Sequence, residues 1–158
     1  MAEKPIPLTK EGLAKLQEEL GFLITVRRPQ IARRIQEAKE LTSAQNNAEF
    51  DDAKNEQAFV EGRILELKLI LQNASVIEES EVPTDVVGVG SRVIVRDLSS
   101  KDEWEYTIVG SVEADPSEDR ISNESPVGEA LMDRKVGAVV KVDVPAGKAR
   151  YKIIKISR

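Results

Sequence analysis

The chain of 158 residues contains neither cysteine nor histidine, and that absence bounds its chemistry. Disulfides and thiolate metal sites are impossible, and a reducing cytoplasm is the expected setting. Without imidazole it lacks the commonest general base, the commonest metal ligand and any Ser-His or Cys-His nucleophile pair. What remains are carboxylates, amides, hydroxyls and the cationic ends of lysine and arginine. Such groups concentrate around Leu41-Thr42-Ser43-Ala44-Gln45-Asn46-Asn47, a polar stretch without a single charge. Lys39 and Glu40 precede it, and Glu49, Asp51, Asp52 and Lys54 follow. Thr, Ser, Gln and Asn are what any helix-turn-helix uses to satisfy open backbone groups. A second feature is the positive charge of Arg27, Arg28, Arg33, Arg34 and Lys39. It reads either as a solvated face pairing with Glu37, Glu40 and Glu56 or as an electrostatic guide for a phosphate backbone.

The elements that must position this stretch are helical. Pro5-Ile6-Pro7 is an extended lead-in, and Thr9 is placed to cap a helix opening Lys10-Glu11-Gly12, with Leu8 as staple. Leu13, Leu16, Leu20 and Leu23 follow at steps of three, four and three, a narrow coiled-coil seam. Beyond Arg27-Arg28-Pro29, Ile31, Ile35 and Ala38 continue the pattern one place late, so a kink or register slip is expected at Pro29 rather than a helix end. A second arm begins near Asn46 or Asn47, with Asn46 as N-cap and Glu49 as the acidic half of a capping box. Ala53, Val60, Ile64, Leu67 and Leu71 give it a matching seam. Each arm is roughly 25 to 35 residues, about 40 to 50 Å at 1.5 Å per residue. The two arms form an antiparallel hairpin with residues 41–47 as its tip.

From residue 78 the character changes. Glu78 to Asp85 is acidic and ends in turn formers, which suits a linker over 78–90. From Ser91 the apolar period becomes two: Val93 and Val95 in one strand, Trp104, Tyr106 and Ile108 in the next, with residues 97–102 as the hairpin loop. Residues 139–144 and 150–156 make two more strands, joined through Pro145-Ala146-Gly147-Lys148. Ser125 is placed to cap a short helix with Pro126 at its first position. Trp104 and Tyr106 read as core rather than as binding aromatics. The expectation is therefore an α+β protein: an antiparallel helical hairpin over 1–77, then an antiparallel sheet with one short helix over 91–158. The net charge of −5 does not suggest a nucleic-acid binder acting through its total charge. No run approaches the roughly 18 apolar residues of a membrane span, and the start Met-Ala-Glu-Lys-Pro lacks the apolar core of a signal peptide.

Several segments, read together, resemble the GreA branch of the Gre family of transcript-cleavage factors. They are Leu8-Thr9-Lys10-Glu11-Gly12, Leu16-Gln17-Glu18-Glu19-Leu20, Val26-Arg27-Arg28-Pro29-Gln30-Ile31, Asn47-Ala48-Glu49-Phe50, Phe59-Val60-Glu61-Gly62-Arg63-Ile64 and Ser125-Pro126-Val127-Gly128-Glu129-Ala130-Leu131. The resemblance covers essentially the whole chain and implies a coiled-coil hairpin followed by an FKBP-like domain. It further implies docking on bacterial RNA polymerase, with the hairpin inserted in the secondary channel near the 3′ end of the nascent RNA. No enzyme activity or cofactor of its own is implied. In the family, tip carboxylates help hold a Mg2+ of the polymerase active site, and the polymerase hydrolyses the backtracked transcript.

By the same resemblance, Lys39 and Lys54 fall at basic positions facing the RNA, and Glu124, Ser125 and Pro126 at the polymerase-docking surface. The tip departs from the family pattern. That pattern reads Gly-Asp-Leu, a variable residue, Glu-Asn-Ala-Glu, then Tyr or Phe. Aligned on Asn47-Ala48-Glu49-Phe50, this chain carries Ser43 at the Asp position and Asn46 at the Glu position. A hydroxyl and an amide offer weak or water-mediated ligation and no negative charge. The expected function is a polymerase-binding elongation factor with tip-dependent cleavage in doubt. The alternatives are a non-cleaving secondary-channel regulator and a chaperone-like coiled-coil module. A prolyl isomerase would need an aromatic-lined pocket that so aromatic-poor a domain is not expected to build.

Overall fold

The computed structural model describes residues 4–40 and 44–158, the side chains of 44–47 excepted. Two compact units emerge, Leu13–Asn73 and a second made of Met1–Gly12 with Ala74–Arg158.

The first unit is the helical hairpin. Its first arm is α1 (Lys10–Phe22) and α2 (Arg28–Glu40), separated by a π-helical turn at Leu23–Arg27, and its second arm is α3 (Ala44–Gln72). The Arg28 N–H donates to the Leu23 carbonyl, five residues back. That wider turn holds one residue more than an α-turn, so the expected register slip is present, immediately ahead of Pro29. Proline lacks an N–H, and its ring crowds the carbonyl four residues before it; widening the preceding turn accommodates both. Thr25 donates its hydroxyl to the Gly21 carbonyl at 2.7 Å beside this turn. Beyond the slip Ile31 and Ile35 pack with Ala53, Val60 and Ile64 as one buried cluster, supported by Leu20, Leu23, Ile24 and Phe50. The second arm starts earlier than expected. Ala44 and Gln45 are already helical and favour that state, so Asn46 lies inside α3 rather than at its cap.

The second unit is built on a five-stranded sheet in the order β5-β4-β3-β7-β6. Its strands are β3 (Arg92–Asp97), β4 (Glu103–Val109), β5 (Arg120–Ser122), β6 (Val139–Val144) and β7 (Gly147–Ser157). All neighbours are antiparallel except β4 and β5. Val93, Val95, Ile108, Val140, Val142 and Ile153 point to one side, where Leu131 of the short helix α4 (Pro126–Leu131) completes the core. Trp104 sits at the rim of this side, its ring edge-on to Tyr151 at 6.0 Å.

Two features differ from the reading of the sequence alone. The lead-in is a strand, β1 (Ile6–Thr9), paired in parallel with β2 (Ala74–Ile77). The segment 78–90, acidic enough to suggest a linker, is packed into this unit. Val87 is fully buried and exchanges backbone hydrogen bonds with Arg134 and Asp133, and the Gly90 N–H donates to Ile108. Two buried valines, Val82 and Val87, outweigh the surrounding charge.

Within the same unit the carboxylate of Glu113, 3% exposed, receives the Thr9 N–H at 2.8 Å and the Thr9 hydroxyl at 2.5 Å. Arg120 donates to it at 3.1 Å. Thr9 in turn accepts the Gly12 N–H at 3.0 Å, the N-cap expected of it. A Cβ on Gly12 would stand 2.0 Å from a Glu113 oxygen, so only glycine lets the carboxylate close over the first helical turn. Gly12→Ala is expected to lower stability by about 1–3 kcal/mol by displacing that carboxylate. In a Glu113→Ala background the same change should be neutral or stabilising, because helix propensity alone remains. A four-variant denaturation cycle reads this, and additive effects would contradict the mutual exclusion.

Candidate functional site

The distal hairpin and the surface around residues 122–128 are the two regions where the expected residues fall. Ser43 lies outside the described residues, and Asn46 is described in its backbone alone, as part of α3. Lys39 and Lys54 are both exposed. Each directly follows a buried seam alanine, Ala38 or Ala53, so each leaves the helix beside the hairpin seam. Lys54 donates to Gln57 one turn on, at 3.1 Å. Lys39 has no ion pair or hydrogen bond with a described residue.

Part of the basic run is paired across the hairpin. Arg27 and Arg34 both pair with Glu56, and Arg28 forms a fork on Glu61 with two bonds of 2.8 Å. These bonds cross from the first arm to the second and fasten the hairpin. The expected partners Glu37 and Glu40 take no part: they share the arginines' own helix, whereas Glu56 and Glu61 face them from α3. Arg33 and Lys39 stay unpaired among the described residues, so the free positive charge is smaller than the sequence suggests and lies nearer the tip. Nearer the hairpin base, Arg63 makes a second fork on Glu19 at 2.7 and 2.9 Å, which raises the arginine's pKa.

On the other unit, Ser125 caps α4. Its hydroxyl accepts the Gly128 N–H at 3.1 Å and donates to the Ser122 carbonyl at 2.6 Å. A Cβ on Gly128 would lie 1.9 Å from that same carbonyl, so the Ser-Pro-Val-Gly spacing follows from the tightness of this turn. Ser125 is therefore occupied structurally, while Glu124 and Pro126 beside it are exposed. Glu124 is oriented by the Ser111 hydroxyl at 2.9 Å, which also bonds Ser122. Glu124 opens onto a groove of about 530 Å³ bordered by Pro5, Ile6 and Pro7, together with Val89 and Val112. The groove was not legible in the sequence, because its walls come from segments far apart in the chain. Phe59 and Leu65, 77% and 60% exposed on α3, were also missed. Their exposure depends on which side of the helix the seam occupies.

Two family profiles match consecutive parts of the chain. "Transcription elongation factor, N-terminal" covers residues 6–76, and "Transcription elongation factor, GreA/GreB, C-term" covers residues 82–158. A protein of Clostridium botulinum (strain Kyoto / Type A2) named transcription elongation factor GreA is 51% identical over 155 residues, 98% of this chain and 97% of that protein. One of the same name from Thermoanaerobacter pseudethanolicus is 52% identical over 155 residues, 98% and 99% of the two chains. Among solved structures, that of GreA factor homolog 1 (Gfh1) of Thermus thermophilus is 30% identical and spans 98% of this chain and all of the other, with a TM-score of 0.46.

The Arg28–Glu61 fork is expected to give the hairpin a small acid-dependent contribution to stability. The guanidinium hydrogen bond holds the Glu61 carboxyl below its ordinary 4.5. A depressed folded pKa contributes stability that is fully present above the unfolded value and is lost as pH falls through the folded one. Thermal denaturation of the wild type should therefore weaken from about pH 5 downward, and Glu61→Gln should flatten part of that decline. An identical acid limb in the variant would remove the fork as a contributor.

Proposed function

We propose that this chain, which belongs to the GreA/GreB family of transcription elongation factors, works as a secondary-channel ligand of bacterial RNA polymerase. In this reading the exposed Glu124 and Pro126, with the adjoining groove, dock on the polymerase, and the hairpin is placed in the channel. Lys39 and Lys54 then lie near the 3′ end of a backtracked transcript. The observation that carries the reading is that both halves of the family pattern are present in one chain, on residues 6–76 and 82–158. Further support comes from Phe59 and Leu65, whose exposure on the outer face of α3 suits contact with a protein wall.

The chemistry proposed at the tip is limited by its donors. A hard divalent cation takes anionic oxygens first, and Ser43 and Asn46 offer a neutral hydroxyl and a neutral amide. Those residues do not fit a magnesium ion, and no catalytic step is assigned to them. The Mg2+ of transcript hydrolysis belongs to the polymerase, and this chain brings neither an enzyme activity nor a cofactor of its own. Its action is occupancy of the channel, with little stimulation of cleavage.

The test is transcript cleavage on a stalled, backtracked polymerase complex, with polymerase binding measured in parallel. Ser43→Asp combined with Asn46→Glu should raise cleavage by roughly two orders of magnitude, the scale of a preorganised electrostatic stabiliser, at unchanged binding. Equal, strong cleavage by both proteins would show that tip charge is not decisive. Failure of both to bind the polymerase would remove the functional reading itself.

A further inference from the structure

The side of the five-stranded sheet turned away from its core is strongly cationic in a chain whose total charge is −5. Cross-strand register identifies the residues. On β7, Lys152 lies opposite Arg96, and Lys155 lies opposite Ile94. On the β6 side, Lys141 lies opposite Arg150, and Lys148 opposite Asp143. Regular alternation would send Lys152 and Lys155, three positions apart, to opposite sides. An irregularity in the β3–β7 pairing, between Ile94 and Val95, restores Lys155 to the same side. Arg92, two positions before Ile94, falls on this side as well; against these seven cations stand Glu103, Glu105 and Asp143.

Little of this charge is neutralised internally. Arg96 pairs with Glu103 at 3.4 Å. Lys141, Lys148, Arg150, Lys152 and Lys155 are all exposed and have no ion pair or side-chain hydrogen bond with a described residue. Two like-charged pairs, Arg96 with Lys152 and Lys141 with Arg150, sit directly opposite each other, an arrangement that destabilises a sheet. A polyanion laid across the strands would relieve it.

We propose that this open sheet face is a docking surface for the phosphate backbone of double-stranded DNA, read without sequence preference. Composition selects this partner over others. Four of the seven cations are lysines, which protein interfaces deplete and which act as solvated point charges on phosphate. The face carries no aromatic side chain, since Trp104 and Tyr106 share the registers of Val95 and Val93 and so lie on the core side. Single-stranded nucleic acid would call for such aromatics as stacking platforms. Successive same-side residues of β7 repeat every ~6.7 Å, and from Lys148 to Lys155 the row spans about 20 Å, enough to meet several phosphates of one duplex face. The acidic total is compatible with this surface because the negative excess lies elsewhere on the chain.

The test is fluorescence anisotropy of a labelled 20-base-pair duplex titrated with the full chain at several salt concentrations. With about three to five phosphates neutralised, log K should fall against log salt with a slope near −3 to −4.5. Lys141→Gln, Arg150→Gln and Lys152→Gln together should weaken duplex binding at least tenfold and reduce the slope by two to three, at unchanged circular dichroism. Glu103→Gln should tighten it, and Lys141→Arg with Lys152→Arg should preserve it. No duplex binding at low salt, equal binding by the triple variant, or tighter binding of a single strand of the same length would overturn the proposal. So would a triple variant that loses RNA polymerase while keeping the duplex, because the face would then be a protein contact.

Discussion

One carboxylate closes the unit that contains the sheet. Glu113 reaches the backbone and hydroxyl of Thr9 across 104 positions of sequence and is held from its other side by Arg120. A nearly buried carboxylate is costly unless its lone pairs are filled, and here a backbone donor, a hydroxyl and a guanidinium fill them. The arrangement makes the first strand and the opening helical turn part of the C-terminal fold instead of a loose leader. Gly12 is small for this reason, Thr9 is positioned for it, and the neighbouring β1–β2 ladder runs alongside.

Much of this architecture could be read from the chain. The leucine and isoleucine spacing gave the two arms, and the late return of Ile31, Ile35 and Ala38 marked a slip that takes the form of a π-turn. Period-two alternation located β3 and β4, and Ser125-Pro126 located α4. These are local signals, carried by residues within a turn or two of one another. What could not be read depends on distant partners. Nothing near Pro5-Ile6-Pro7 announces Ala74–Ile77 as its neighbour, and nothing near Glu113 announces Thr9. Asn46 lies inside α3 and not at its cap, because good capping residues are also tolerated within a helix. Of the candidate site, the capping role of Ser125 was legible. The division of the arginines between fastening and display was not, because it depends on the partners α3 presents.

The two units divide the work by the kind of charge they carry. In the hairpin, arginine–glutamate bonds commit Arg27, Arg28, Arg34 and Arg63 to holding helix to helix. In the sheet the lysines of β6 and β7 hold nothing together, and their arrangement weakens the ladder they sit on. Charge that stabilises is paired and partly shielded; charge left in solvent against its own kind points outward, to something else.

The π-turn at Leu23–Arg27 has a consequence for how the hairpin is aimed. A residue added to a helix advances everything beyond it by about 100° around the axis. The turn therefore acts as a phase setting: it clocks the whole of Arg28–Glu40, Lys39 included, relative to the leucines of α1. Two chains with the same last dozen residues in this arm, differing only in whether they carry this extra residue, would present different sides to whatever meets the tip. The bearing of the distal end is thus written more than a dozen residues away from it, in a segment that touches nothing there.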